Sequence, residues 1–295
     1  MLLRRHLLKT VLALSFAALS PVAAWATGFS SERISVKTEG EGRDVILVPG
    51  LSSSPRVWAE MVKAVPGYRY HLVQVSGFAG QAVGGNTEGP VAAPVAEEIA
   101  RYIAVQGIHK PLVIGHSMGG SIGMMLAARH PQAISKLMVV DMFPFLGAMF
   151  GVPGATAQSV KPMADDMLAK MRSMTPEARA QRMEGTIAGM INNTAMRPSA
   201  VADGLKSDQD VSARAYHELI TTDLTPELKN IAVPTVVLYV VPKGMPVSVE
   251  QMDTFYKVAY SSVTDISLKR IPDSAHFIMW DQPEQFQAEV KVFLK

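Results

Sequence analysis

The chain has 295 residues, is 48% hydrophobic and carries 28 Lys and Arg against 26 Asp and Glu, a formal net charge of +2. Without Arg4, Arg5 and Lys9 near the N-terminus, 25 basic residues remain against 26 acidic ones, a net of −1, which gives no electrostatic reason to expect nucleic acid or anionic lipid as a partner. The absence of cysteine excludes disulfides, thiol catalysis and lipid attachment through Cys.

Residues 1–26 are predicted to be a secretory signal peptide. Basic "MLLRRHLLKT" precedes apolar "VLALSFAALSPVAA" and the small-x-small site Ala24-Trp25-Ala26. The apolar run is short for a membrane span of about 20 residues, so we expect a periplasmic or secreted bacterial protein without a stable membrane anchor, rather than one with a retained anchor helix. Arg4-Arg5 resembles a twin-arginine signal, although an ordinary basic signal would look the same.

Short apolar runs alternate with helical stretches along the rest of the chain. The runs predict strands over 43–49, 70–75, 111–115, 136–140, 235–241 and 265–271, with an alternating edge strand over 32–38. Helices are predicted over 56–65, 91–107, 118–130, 249–260 and 283–294. This alternation is typical of a doubly wound α/β fold, with a mostly parallel sheet covered on both faces.

The interval 143–226 interrupts the alternation, because it contains helical segments and no convincing strand. We interpret it as a helical cap inserted into a core domain of residues 27–142 and 227–295. It holds eight of the 18 methionines, namely Met149, Met163, Met167, Met171, Met174, Met183, Met190 and Met196. Four of them, from 163 to 174, share one helical face, which could dock on the core or form an adaptable apolar wall of a substrate pocket.

The stretch "LVIGHSMGG" (112–120) places Ser117 where a strand turns sharply into a helix. Gly115 and Gly119 leave room for this turn, and the helix N-terminus stabilises developing negative charge. The alternative is a glycine-rich turn with an incidental serine. His116 is expected to point away from Ser117 and to pack. No histidines occur at ligand spacing, so no metal site is predicted.

Four segments resemble the α/β-hydrolase family, and the resemblance covers residues 30–295. They are "ILVPGLSSSPRVW" (46–58), "LVIGHSMGG" (112–120), "LTPELKNIAVPTVVL" (224–238) and "DSAHFIMWDQPEQFQAEVKVFL" (273–294). The resemblance implies an eight-stranded, mostly parallel sheet, a cap after the sixth strand, and hydrolysis through an acyl-enzyme without a cofactor.

The resemblance also implies roles for particular residues. Ser117 would be the nucleophile and His276 its general base. The backbone N–H groups of Leu51 and Met118 would form the oxyanion hole, which needs only main-chain donors. Pro49-Gly50 stands where the family usually has His-Gly, and this change leaves the backbone donor intact.

The acidic partner of His276 is less well defined. The family most often has an Asp directly after the strand at 235–241, where this chain has Pro242, Lys243, Gly244 and Met245. Asp141, after "KLMVV", is the alternative position and preserves the order Ser, Asp, His. Asp141 could instead only cap the entry to the cap segment. The acid could also lie elsewhere or be missing; Glu250 and Asp253 are expected to be poorly aimed, and Asp273 to fix its own loop.

We therefore expect an exported serine hydrolase that cleaves a small-molecule carboxylic ester with an uncharged, largely apolar acyl or alcohol part. A lactonase, an amidase, a carbon–carbon bond hydrolase and a cofactor-free perhydrolase remain open, because fold does not separate them. A binding protein that has lost activity is a further alternative, favoured by the missing acid after residue 241. The sequence does not determine the oligomeric state or acyl chain length.

Overall fold

The computed structural model describes residues 28–150, 154–241 and 247–295; the predicted signal peptide lies outside these ranges. One sheet has the strand order β1-β3-β2-β4-β5-β6-β7. Every neighbouring pair is parallel except β1 with β3. The strands are β1 (Ile34–Glu39), β2 (Arg43–Val48), β3 (Tyr68–Val75), β4 (Leu112–His116), β5 (Lys136–Val140), β6 (Thr235–Tyr239) and β7 (Ile266–Arg270).

The sheet has seven strands in the described part of the chain, one fewer than the resemblance implies. Strand β1 lies at the sheet edge and alternates as predicted, because Ile34 and Val36 are buried while Ser35 and Lys37 are not. Only residues 28–33 are described before β1, and they are too few for another strand and its connection. The prediction of a doubly wound, mostly parallel α/β sheet is confirmed.

Helices cover both faces of the sheet. They are α1 (Ala59–Ala64), α2 (Ala92–Val105), α3 (Met118–Arg129), α8 (Val249–Ala259), α9 (Ile278–Asp281) and α10 (Pro283–Leu294). Alternate residues of β2 enter two different cores, because successive side chains of a strand point to opposite faces. Ile46 and Val48 pack in a core with α2, α3 and α8. Val45 and Leu47 pack with α1 and α10.

Four helices lie between β5 and β6, within the interval predicted to be a cap: α4 (Ala157–Arg172), α5 (Pro176–Met190), α6 (Arg197–Lys206) and α7 (Gln209–Thr221). Helix α4 begins with a capping box, in which Thr156 and Ser159 satisfy each other's backbone N–H groups. The division of the chain into a core and a cap stays a prediction. No helix within the described ranges is long and apolar enough to cross a membrane.

Candidate active site

The turn between β4 and α3 holds Ser117 in a strained backbone conformation, with φ 54° and ψ −121°. A Cβ atom on Gly115 would lie 2.1 Å from the Gly119 carbonyl oxygen, and one on Gly119 would lie 2.1 Å from the Val48 carbonyl oxygen. Glycine is therefore required at both positions. The Ser117 N–H donates to the Val140 carbonyl over 2.9 Å, which ties the turn to β5. The surrounding structure thus holds a conformation that a free chain would avoid.

A cavity of about 500 Å³ lies beside this turn, between the strand ends and the inserted helices. Ser117, His276 and Asp141 all line it, so the structure brings together the three side chains selected from the sequence. Leu51 also lines the cavity, and Met118 is fully buried at the start of α3. The shared cavity is the geometric condition on which any chemistry between these groups depends.

Asp141 and His276 form a direct contact, with 2.6 Å between Asp141 Oδ2 and His276 Nδ1. Asp141 directly follows β5 and has φ 51°, and its other carboxylate oxygen accepts hydrogen bonds from the Val240 N–H (3.1 Å) and the Tyr256 hydroxyl (3.2 Å). Because Asp141 engages Nδ1, Nε2 is the ring nitrogen of His276 left for proton transfer.

The other acids considered from the sequence have different partners. Glu250 accepts a hydrogen bond from the Ser248 hydroxyl, and Asp253 accepts from the Tyr239 hydroxyl and from Arg270. The Asp273 side chain is exposed, and its backbone carbonyl accepts from the Gln282 amide. Among the described residues, Asp141 is therefore the carboxylate that contacts His276.

Tyr256 on α8 contributes to the site, and no sequence pattern predicts this contribution. Its ring packs against those of Tyr239, Phe143 and Tyr260, with the Tyr239 centroid 4.1 Å away. Burial, together with the nearby Asp141 carboxylate, raises the pKa of Tyr256 well above its usual value. The hydroxyl therefore stays protonated and donates its hydrogen to Asp141. A long-range contact of this kind leaves no local pattern in the sequence.

His116 does more than the packing predicted for it. Its ring is fully buried and lines the cavity, and its Nε2 lies 3.0 Å from the His276 carbonyl oxygen. Burial, with a smaller effect from His276, lowers the pKa of His116 well below its usual value, so the ring is neutral. A carbonyl can only accept, so Nε2 carries the proton and Nδ1 is a buried atom without a partner in the described structure.

The two backbone donors predicted for the oxyanion hole are the N–H groups of Leu51, in the segment after β2, and of Met118, the residue after Ser117. Among the described residues, no backbone acceptor pairs with the N–H of Leu51. Met118 is the first residue of α3, so its N–H has no acceptor within the helix. Their role as the oxyanion hole stays a prediction.

Three other histidines each pair with one carboxylate at a distance from this cavity. The pairs are His71 with Asp44 (2.7 Å), His130 with Glu97 (2.9 Å) and His217 with Asp165 (2.8 Å). Within the described residues, no three His, Asp or Glu side chains converge so that they could hold a metal ion.

A serine at a strained strand-to-helix turn, above the carboxyl edge of a parallel sheet, is typical of hydrolases. The sequence profile of the α/β hydrolase family matches residues 45–289, and the chain belongs to this family. The predicted resemblance is therefore confirmed, and the protein is an enzyme of the hydrolase class.

Known proteins similar to this chain include esterases. A pimeloyl-[acyl-carrier protein] methyl ester esterase of Aliivibrio salmonicida is 28% identical over 189 residues, 60% of this chain and 70% of that protein. An esterase of Exiguobacterium antarcticum superposes with a TM-score of 0.74 at 18% identity, covering 88% of this chain and 95% of that one. An enol-lactonase of Burkholderia xenovorans gives 0.70 at 18% identity, covering 88% and 96%. At these identities the two solved structures establish the fold alone.

Proposed function

We propose that the chain is an exported serine esterase that uses Ser117, His276 and Asp141. The observation that carries this proposal is the 2.6 Å contact of Asp141 with His276 at the cavity that Ser117 lines. The similarity to a pimeloyl-[acyl-carrier protein] methyl ester esterase supports an ester as the substrate. The same contact argues against the alternative of an inactive binding protein, because Asp141 can take the place of the acid that is missing after residue 241.

The reaction proceeds in two steps. Ser117 Oγ attacks the ester carbonyl while His276 Nε2 takes its proton, and the tetrahedral oxyanion binds the N–H groups of Leu51 and Met118. Collapse breaks the bond to the alkoxy oxygen, which leaves as the alcohol with the proton from His276. Water then attacks the acyl-enzyme with the same base and releases the carboxylic acid and free Ser117. Asp141 orients the imidazole and stabilises its charged form throughout.

The cavity wall favours an apolar substrate body. The segment after β5, the inserted helices and the turn between α4 and α5 supply the apolar lining: Met142, Phe143, Leu146, Met149, Phe150, Met171, Met174, Met183, Ile187 and Met190. Thioether side chains adapt to irregular shapes, so this wall suits a flexible acyl chain better than a single rigid ring.

Labelling with a fluorophosphonate tests the proposed mechanism. We expect the wild type to be labelled on Ser117, and expect Ser117→Ala and His276→Ala to lose the label. A panel of p-nitrophenyl esters, lactones and amides then separates an esterase from a lactonase or an amidase. A folded wild type that takes up no label and hydrolyses none of these substrates would refute the proposal.

Export is proposed from the sequence of residues 1–26 alone. Expression of the full chain in a bacterium, followed by fractionation and N-terminal sequencing, tests it. We expect the exported protein to begin at Thr27, directly after the small-x-small site. Substitution of Arg4 and Arg5 by lysine should block export if the twin-arginine route is used, and should leave it intact if the ordinary secretory route is used. Full-length protein retained in the cytoplasm would contradict export.

A further inference from the structure

The cavity that contains Ser117 has an uneven distribution of charge. Among the described residues that line it, the one acid is Asp141, which is already bound to His276. Two arginines from α5, Arg179 and Arg182, line the same cavity one helical turn apart. An otherwise apolar cavity therefore contains cationic groups beyond those that the hydrolytic mechanism uses.

The two arginines have different surroundings. The Arg179 guanidinium donates to the carbonyl oxygens of Gly204 and Ser207, so it ties α5 to the end of α6. Arg182 forms no hydrogen bond or ion pair with any described residue. No Asp or Glu of the chain pairs with Arg182, because all of them lie within the described residues. The remaining residues, 1–27, 151–153 and 242–246, contain no Asp or Glu. Arg182 is thus an exposed cation on the solvent side of the cavity lining, without a carboxylate partner.

Tyr216 indicates where the charge of Arg182 acts. Tyr216 also lines the cavity, and burial raises the pKa of its hydroxyl while the nearby Arg182 acts in the opposite direction. The Tyr216 ring meets Phe150 edge-on, with 6.5 Å between centroids. Arg182 and Tyr216 both come from the inserted helices α5 and α7, whereas Ser117 stands at the sheet edge.

We infer that the substrate is an ester whose acyl chain ends in a carboxylate bound by Arg182. This inference rests on the proposed esterase function of Ser117, and it amends the expectation of an uncharged substrate. The carboxylate is assigned to the acyl part because that part stays attached to Ser117 through both steps, whereas the alcohol leaves after the first. The hydrolysis product is then a dicarboxylate.

The chemistry of one free guanidinium favours a carboxylate over a phosphate. A guanidinium matches a carboxylate with two parallel N–H···O bonds, which satisfy both oxygens. A phosphate monoester has three charged oxygens and up to two negative charges. With Arg179 engaged by backbone carbonyls, Arg182 alone can pair two of these oxygens and balance one of the two charges, so a carboxylate is the better match.

The test compares p-nitrophenyl hemiesters of straight-chain dicarboxylic acids with their carboxamide analogues, which have nearly the same shape but no charge. We expect a chain length at which the wild type prefers the anionic ester in kcat/KM by about tenfold. Arg182→Gln should reduce that ratio to near one, mainly through KM, and Arg182→Lys should retain part of it. High salt should also reduce the wild-type ratio.

Arg172→Gln is the matched control. Arg172 is exposed at the end of α4, pairs with Asp210 over 2.5 Å and does not line the cavity. Like Arg182→Gln, the substitution Arg172→Gln removes one positive charge from the inserted helices, but it should leave the ratio of kcat/KM values for the anionic and neutral esters unchanged. Equal kcat/KM values for the two ester series at every length, or an equal loss of preference in both variants, would overturn the inference. Hydrolysis of the neutral esters by the wild type shows whether the proposed function survives that outcome.

Discussion

Asp141 is the proposed acidic partner of His276. Its position at the end of β5 allows it to contact His276 Nδ1 directly, while Val240 and Tyr256 hold its other oxygen. The first prediction at the scale of single residues is that Asp141→Asn lowers kcat by about 10²- to 10⁴-fold with little change in KM, because the imidazole loses its orienting charge.

Asp273→Asn is the control for Asp141→Asn. It makes the same chemical change three residues before His276, on an exposed side chain, and should leave kcat within about twofold of wild type, as expected for a surface change away from the reaction. Steady-state kinetics on one p-nitrophenyl ester, with circular dichroism to confirm folding, checks both variants. A fully active, folded Asp141→Asn enzyme would show that the acid has been misassigned.

His116 is expected to be a positioning residue, since its Nε2–H donates to the backbone carbonyl of His276. His116→Leu should lower kcat by about 10- to 100-fold with little change in KM, because a small displacement of the general base strongly lowers the rate of proton transfer. His116→Gln can keep an N–H donor near the same carbonyl and should recover much of the loss. Measurement of kcat and KM for both variants checks this, and equal kcat values for the two would indicate packing alone.

The sequence specified some of these residues and not others, for a physical reason. Ser117 and His276 could be predicted because each belongs to a local signal, a glycine turn and a loop before the last helices. Asp141 could be selected only as one of several acids, since the choice depends on where β5 ends relative to β7. The contacts of His116 with a carbonyl 160 residues away, and of Tyr256 with Asp141, depend on packing between distant segments.

At the scale of elements, the turn between β4 and α3 fixes where the nucleophile stands. We expect Gly119→Ala to destabilise the protein by more than about 3 kcal/mol or to prevent folding, because the new Cβ would lie 2.1 Å from a backbone oxygen of β2, which cannot move alone. The midpoint and slope of urea denaturation measure this effect. A stable Gly119→Ala protein with unchanged activity would contradict the account of the turn.

Gly185→Ala in α5 is the matched control for the turn. No heavy atom lies within 4 Å of the new Cβ, and the position is inside a regular helix. Alanine should therefore stabilise the protein by about 0.5–1 kcal/mol, through the usual helix preference over glycine. The two substitutions are chemically identical, so opposite signs in the same denaturation assay would isolate the effect of the close approach at Gly119.

The elements themselves followed the sequence closely where the signal is local. Helix α3 was predicted over 118–130 and spans Met118–Arg129, and α10 matches its prediction at 283–294. Strand β6 ends at Tyr239, earlier than the predicted residue 241. The arrangement of the inserted helices could not be predicted, because a methionine-rich face is equally compatible with docking and with lining a cavity. Met163 and Met167 pack in a cluster formed within the inserted segment itself, and Met171 lines the cavity.

At the scale of the whole molecule, Glu218 joins the inserted helices to the core. This buried side chain of α7 accepts the N–H groups of Val91, Ala92 and Ala93 over 2.6, 2.7 and 2.9 Å, at the start of α2. Glu218→Gln replaces one accepting oxygen by an NH₂ group that faces donors. We expect a loss of about 2 kcal/mol in the free energy of unfolding, from charge-assisted hydrogen bonds and the helix dipole.

Glu227→Gln provides the comparison, because Glu227 pairs with Arg129 at the surface, where both side chains are about one third exposed. Such a pair contributes about 0–1 kcal/mol. Urea denaturation should therefore show a larger loss in the free energy of unfolding for Glu218→Gln than for Glu227→Gln. Limited proteolysis should also cut Glu218→Gln faster within residues 143–226. Equal stabilities would mean that the inserted helices are held to the core by apolar packing alone.

The stability of the whole protein should also depend on pH through His116. Burial lowers its folded-state pKa well below 6.5, whereas the unfolded chain has the ordinary value of about 6.5. As pH falls below about 6.5, the unfolded state binds a proton at this residue that the folded state does not, so the free energy of unfolding decreases by up to about 1.4 kcal/mol per pH unit. His116→Gln removes this contribution. The free energies of unfolding of wild type and His116→Gln, measured by urea titration, should therefore differ less at pH 5 than at pH 7. An equal difference at both pH values would show that His116 becomes protonated in the folded protein as readily as in the unfolded chain.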